Sequence, residues 1–358
     1  MTRRRLRVAA ARELRLPDWR SNVLYRAFST ERIGPMTEKP RRGEPQAGLP
    51  NRGPGVNLDR ALKSIVTVQA SIPEDAFTAQ TLGEQRSGSG VVIRESGLVL
   101  TIGYLIMEAE SVWLADAEGR VTPGHALAVD GETGFGLVQA LGPLDCPALE
   151  LGRSSETKLG DQVTVAAGAG TKPVRAMVVG KQEFAGYWEY FLDEAIFTSP
   201  AHPFWGGAGA IDRNGRLIGI GSLHVEQLSA RTGPRDINMI VPIDLLPPVL
   251  DDLLAYGRVN KPARPWLGIF SAENGDEIIV ASVAENGPAA AAGIRRGDVL
   301  ASVGGSEIEG LGDFYHKVWT RGPAGVEIPI EIVRDGRAIG LRIRSADRSS
   351  FMKRPRLQ

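Results

Sequence analysis

Cysteine is nearly missing from this chain. Cys146 is the single one in 358 residues, so no internal disulfide can form and no thiolate cluster can hold a metal. Histidine is scarce as well: His125, His202, His224 and His316 are the whole supply. Any chemistry that needs an imidazole must use one of these. An excess of charge is lacking too, since 42 basic residues face 42 acidic ones. A nucleic-acid or anionic-membrane binder would carry a basic surplus, so neither is expected as a partner. No apolar run approaches the roughly 20 residues that a membrane helix needs, so no integral membrane segment is expected.

Glycine is plentiful, with 43 residues in a chain that is 42% hydrophobic and 23% charged. That points to many tight turns and a β-rich fold. The length allows about two or three domains. The first residues differ from the rest. MTRRRLRVAAARELRLPDWR is arginine-rich and has no apolar core of a secretory signal. Residues 37–57, TEKPRRGEPQAGLPNRGPGVN, have linker chemistry. A disordered basic arm and linker is expected over 1–57. A transit-peptide-like segment and a true start at Met36 are the alternatives. No export signal is visible, which leaves a cytoplasmic location as the default. A short basic tail is expected over 347–358.

From Leu58 a helical pattern, LDRALKSIV, runs into short β-branched stretches: SGSGVVI, GLVLTI, SVWLADA and FGLVQAL. A second set follows with QVTVAAG, VRAMVVGKQEF, YWEYFLDEAIFT, GAIDR, RLIGIGSLHV and NMIVPI. Their spacing of roughly ten residues suggests two similar antiparallel barrels in tandem, 58–145 and 150–245. Leu245, Leu246, Val249, Leu250, Leu253 and Leu254 recur at helical spacing, and Gly257 is a natural stop. Pro247 and Pro248 fit only the first turn of that helix. A helix and linker are therefore expected over 246–263. From 264 to 346 lies a third compact unit, with strands at WLGIF, EIIVASV, VLASVGG, VEIPIEIVR and AIGLRIR and helices at PAAAAGI and LGDFYHKVWT.

Those pieces resemble the HtrA (DegP-like) serine proteases. SGSGVVI before GLVLTIGYLI is similar to the strands that precede the family's catalytic histidine. VDGETGFGLVQA is similar to the segment of its aspartate, and GGAGAIDRNGRLIGI to its nucleophile loop and hairpin. VPIDLLPPVLDDLLAYGRV before RPWLGI, together with NGPAAAAGIRRGDVLASVGG, is the most distinctive part. IPEDAFTAQTLGEQR would correspond to a loop of variable length. The resemblance implies a mainly β chain: a chymotrypsin-like double β-barrel (58–245) followed by a PDZ domain (264–346).

The same resemblance places three unsuitable residues in the catalytic slots. Such a protease needs a serine nucleophile, a histidine base and an orienting aspartate. The histidine slot falls on Tyr104, whose phenol has an ordinary pKa of about 10 and is a poor base near neutrality. The aspartate slot falls on Gly134; Asp130, nearby, is expected to be a solvated loop charge. The serine slot falls on Gly206, or on Trp205 if the count slides by one. Ser199 and Ser222, the nearest serines, belong to flanking strands. His202 is the one histidine near the nucleophile loop, and it is expected to be a plain loop residue rather than a base for Ser199. Backbone N–H groups of that loop build the family's oxyanion hole. Here Phe204 replaces its small residue, and Gly206 and Gly207 are expected to leave the loop flexible in φ.

The PDZ-like unit keeps its working parts. Trp266, Leu267, Gly268 and Ile269 match the family's carboxylate-binding loop, whose successive N–H groups form an anion site. The strand beyond Gly268 is expected to offer an open edge to an extended peptide. Leu311, Tyr315 and Val318, at helical spacing, either line the groove or pack the core. GAGTKP (168–173) lacks the spacing of a phosphate loop and ENGDE (273–277) that of a calcium loop, so no cofactor and no metal is expected.

The resulting expectation is a pseudoprotease that binds exposed or C-terminal peptide segments as scaffold, chaperone-like holder or regulator. The alternatives are an active serine endopeptidase of protein quality control and a purely structural subunit. The resemblance further implies a homotrimer, or a hetero-oligomer with an active relative, and a periplasmic or organellar setting.

Overall fold

The computed structural model describes residues 58–168, 170–229 and 233–353. The arm expected over 1–57 and the end of the tail, 354–358, lie outside the described residues. Residues 185–191 and 262–351 form one compact unit, and the remaining described residues another.

The larger unit begins with α1 (Leu58–Lys63), followed by β1 (Ile65–Ser71), α2 (Ala79–Leu82), β2 (Gln85–Arg94) and β3 (Leu98–Ile102). Next come α3 (Gly103–Ile106), β4 (Ser111–Ala115), β5 (Val121–Val129) and β6 (Phe135–Ala140). These strands close into a barrel in the order β1-β2-β3-β6-β5-β4. β3 shows why the sequence folds this way. All of LVLTI is buried, so its continuous apolar run suits a strand covered on both faces. Leu98, Leu100, Phe135 and Leu137 fill the interior, each under 2% exposed, and each such side chain contributes about 2–3 kcal/mol of burial.

A second barrel uses β7 (Gln162–Ala166), β8 (Val174–Gly186), β9 (Tyr190–Ser199), β10 (Gly209–Ile211), β11 (Leu217–Ser229) and β12 (Gly233–Pro242). Its order is β10-β11-β12-β9-β8-β7, the first barrel's connectivity read in the other direction. Val163, Val165, Val178, Ile196, Ile218 and Ile240 form its core. Helix α4 (Pro247–Tyr256) follows, with prolines in its first turn. It ends at Gly257, whose φ of 69° lets its N–H return to Leu253 O.

The smaller unit contains β13 (Ile269–Asn274), β14 (Glu277–Val283), α5 (Pro288–Ala291), β15 (Val299–Val303), β16 (Ser306–Glu307), α6 (Leu311–Trp319), β17 (Glu327–Arg334) and β18 (Arg337–Arg344). The sheet runs β13-β14-β15-β17-β18, with β16 paired to β15. Phe314, Val280, Val303, Ile328 and Ile343 form the core between sheet and helices. The Arg334 guanidinium holds the buried Asp298 carboxylate through contacts of 2.6 and 2.7 Å.

One local expectation is corrected. YWEYFLDEAIFT is not one strand: the chain turns over Tyr187–Glu189 and the strand starts at Tyr190. The cause is Glu189, whose φ of 58° is left-handed and reverses the backbone. His224 lies within β11, which runs on to Ser229.

Candidate functional site

The segments to which the resemblance assigns the three catalytic slots meet in one cleft. Tyr104 follows β3 on the short helix α3. Its hydroxyl donates to Ser222 O on β11 at 3.0 Å. A Cβ placed on Gly206 would lie 2.8 Å from that hydroxyl. Gly134 is close by, since its carbonyl accepts from Gly103 N at 2.7 Å. Tyr104, Gly134 and Gly206 are thus brought together, and the phenol stands beside the position where a side chain at 206 would begin. No hydroxyl there is paired with an imidazole among the described residues.

Asp130 is not solvated as expected. It is 7% exposed, and its carboxylate accepts from Thr133 N at 3.0 Å and from Thr133 Oγ1 at 2.7 Å. The carboxylate closes the tight turn into β6, so its acceptor capacity is spent on the backbone that it shapes.

The 204–207 loop is pinned, not flexible. Gly206 O accepts from Ser89 N, and Gly207 N donates to Gly221 O, both at 2.8 Å. Gly207 has a φ of +76°, and a Cβ on it would meet Ser89 O at 1.8 Å. Only glycine fits this approach between barrels. Trp205 stacks on His224 with ring centroids 5.2 Å apart, while Phe204 is 62% exposed.

His202 takes up one main-chain donor of this loop. Its Nδ1 accepts from Phe204 N at 3.0 Å. The other nitrogen, Nε2, therefore carries the hydrogen and donates to Lys172 O at 3.2 Å. Asn238 clips the same residue's backbone, accepting from its N–H at 2.6 Å and donating to its carbonyl at 3.2 Å. Burial also lowers the imidazole pKa below its ordinary value. Both ring nitrogens are engaged by main-chain groups, and the N–H of Phe204 is committed to the ring. Ser199 Oγ instead accepts from Arg235 Nε at 2.8 Å.

The smaller unit holds the second candidate. At Gly268 the chain takes a φ of +75°, which turns consecutive N–H groups towards one point. Leu267, Gly268 and Ile269 all donate there to the Glu189 carboxylate, at 3.0, 2.6 and 2.9 Å. Trp266 does not join them, because its N–H is paired with Ala346 O at 2.9 Å. The edge of β13 is not open as expected: Ser271 N donates to Tyr187 O at 3.0 Å. Tyr315 secures the same turn. Its hydroxyl donates to Gly186 O at 2.6 Å and accepts from Glu189 N at 3.2 Å. Phe191 sits in the apolar cluster that contains Leu267, Ile269, Leu311, Tyr315 and Val318. Burial pushes the Glu189 carboxyl up to about 7, against the pull of its backbone donors and of Arg348.

Comparison with known proteins fits this two-part layout. Residues 88–220 match the trypsin-like peptidase domain, and residues 265–344 match the PDZ domain. The chain thus carries a trypsin-like peptidase domain followed by a PDZ domain, and it is similar to DegP-like proteins. A periplasmic DegP-like serine endoprotease of Pseudomonas putida strain W619 is 27% identical over 271 residues, 71% of this chain and 54% of that protein. Its counterpart in Pseudomonas fluorescens Pf-5 is 28% identical over 269 residues, with the same coverage. The chain thus spans about half the length of these relatives. The solved serine endoprotease from Yersinia pestis is 22% identical, with a TM-score of 0.48 over 82% of this chain and 98% of that one.

Against that family the structure contributes residues that the sequence reading missed: Tyr187, Glu189, Phe191 and Ser271. They are joined by pairing across about 80 positions of sequence, as with Glu189 and Ile269. The one local signal was the run Gly186-Tyr187-Trp188-Glu189-Tyr190, an acid among aromatics that breaks strand alternation. Among the described residues no cluster of His, Cys, Asp or Glu could hold a metal.

Proposed function

We propose that this HtrA-family chain is a pseudoprotease that binds peptides through its PDZ groove. The observation that carries it is the Tyr104 hydroxyl, held by Ser222 O beside Gly206. A phenol near pKa 10 replaces the base, and no side chain stands at the nucleophile position. Losing even one member of such a triad costs about four to six orders of magnitude in turnover. The N–H of Phe204 is committed to His202, so a further term of transition-state stabilisation is missing.

Peptide binding rests on the carboxylate loop over Leu267–Ile269 and on the strand edge at Ser271, which together suit an extended segment ending in a carboxylate. The role is that of a scaffold, chaperone-like holder or regulator. A homotrimer, or a mixed oligomer with an active relative, extends the proposal. The relatives' names place them in the periplasm, and the same setting is proposed here. No helix among the described residues is long and apolar enough to cross a membrane.

A fluorophosphonate probe and unfolded casein test the missing chemistry. The chain should remain unlabelled and leave casein intact. The triple variant Tyr104→His, Gly134→Asp, Gly206→Ser should stay at background too, because Phe204 N–H still faces His202. Labelling of the unmodified chain that disappears in Ser199→Ala would instead establish an active endopeptidase. Light scattering on the eluting protein reads the oligomer, and a monomer would remove that extension. A C-terminal peptide display screen reads the groove.

A further inference from the structure

The PDZ groove already contains a peptide. We propose that residues 186–191 are its resident ligand, an internal mimic of a C-terminal tail that an incoming peptide must displace. The inference rests on the peptide-binding reading above and adds its control.

The mimicry is complete in its parts. A C-terminal ligand presents a carboxylate to the loop; Glu189 presents its side-chain carboxylate to Leu267, Gly268 and Ile269 N–H. Such a ligand also pairs its main chain with the strand beyond the loop. Here the carbonyl of Tyr187, two residues back, takes the Ser271 N–H. A tail further needs an apolar anchor. Phe191 supplies one, 8% exposed and packed with Leu267, Ile269 and Leu311. Its ring also lies edge-on to His316 on α6, centroids 4.5 Å apart.

The segment is held in a shape that it must be forced to adopt. Glu189 is left-handed at φ 58°, a conformation that costs a non-glycine residue free energy. The contacts that offset this come from the groove: the carboxylate bonds and the Tyr315 hydroxyl, which bridges Gly186 O and Glu189 N. The segment belongs to the same chain, so it competes at a high effective concentration without any partner. Weak tails are excluded, and only a ligand with a true terminal carboxylate and a fitting anchor gains entry.

The geometry also supplies a probe: fluorescein-Ala-Gly-Tyr-Trp-Phe with an unblocked C-terminus. It carries a carboxylate for the loop, a tyrosine carbonyl for Ser271 and a phenyl ring for the Phe191 site. The experiment uses the full chain, with Glu189→Ala as the main variant. Glu189→Asn is the second, since asparagine tolerates the left-handed turn and its amide stops one carbon short. Anisotropy titration should show at least tenfold tighter binding of the probe to each variant than to the unmodified chain. Hydrogen exchange should show the Leu267, Gly268, Ile269 and Ser271 amides protected in the unmodified chain and deprotected in the variants without peptide.

Equal affinities with unchanged exchange overturn the resident-ligand proposal and leave peptide binding standing. Deprotection in the variants with no binding of probe or display library supports self-occupancy and overturns the peptide-binding function. Unchanged exchange together with no binding of probe or display library overturns both.

Discussion

The cleft and the groove rest on different kinds of group. In the cleft Tyr104, Gly134 and Gly206 stand together, and on the proposed reading their side chains supply neither base nor nucleophile. In the groove the donors are main-chain N–H groups, which no substitution short of proline removes. They are all present, and all engaged by Glu189 and Tyr187. Catalysis depends on particular side chains and fades by point changes. Backbone recognition survives them, and is regulated by occupancy instead.

Four measurements test this contrast. The largest effect is expected from Gly207→Ala in the cleft. Its methyl would meet Ser89 O at 1.8 Å in a left-handed conformation, so a loss of about 4 kcal/mol or more should appear in denaturant unfolding. An unchanged midpoint would mean that the loop is looser than described. The next effect lies in the smaller unit. Arg334→Met strands the Asp298 carboxylate, whose side chain is 1% exposed. A lowered unfolding midpoint is expected, because the carboxylate then keeps only main-chain donation from Arg295. A neutral result would show that Asp298 finds another partner.

The third is a pH dependence of the groove. Glu189 titrates near 7 when docked, against about 4.3 for an ordinary glutamate. Its raised value means that docking is strongest below the ordinary pKa and weakens as pH rises through the docked one. Arg348 faces the carboxylate from beyond β18 and Tyr315 from α6, with Glu273 on β13 also felt by Tyr315. Exchange protection of Ser271 N–H, corrected for intrinsic rates, should therefore fall roughly tenfold or more between about pH 5 and pH 8. Glu189→Gln should flatten the profile, and a profile that keeps its slope in that variant would assign the titration to another group. The smallest effect is expected from Tyr104→Phe, which removes the bond to Ser222 O. About 1 kcal/mol should be lost.

Local patterns in the sequence carried the strands, the prolines of α4 and the order of domains. The fully buried run of β3 and the Gly257 stop are written in consecutive residues, so they could be read directly. The three slots could be assigned by resemblance because each falls in a short motif of fixed spacing. Asp130 was misjudged because a charge beside glycine looks solvated until its turn partner, Thr133, closes over it. His202 could be placed near its loop, but not what holds it, since Lys172, whose carbonyl takes the Nε2 hydrogen, and Asn238, which clips its backbone, lie far away in sequence. Glu189 was invisible for the same reason: nothing local marks which distant amides a carboxylate will meet.

Both barrels close on themselves, whereas the PDZ sheet stays open, with β13 at one end. A molecule whose resident segment is displaced, and not yet replaced, shows a strand with unsatisfied amides to its neighbours. Such a surface can template the same strand of another copy and seed aggregates. The docked segment is therefore also a guard, and each peptide exchange opens a brief interval of vulnerability to fibril-like growth.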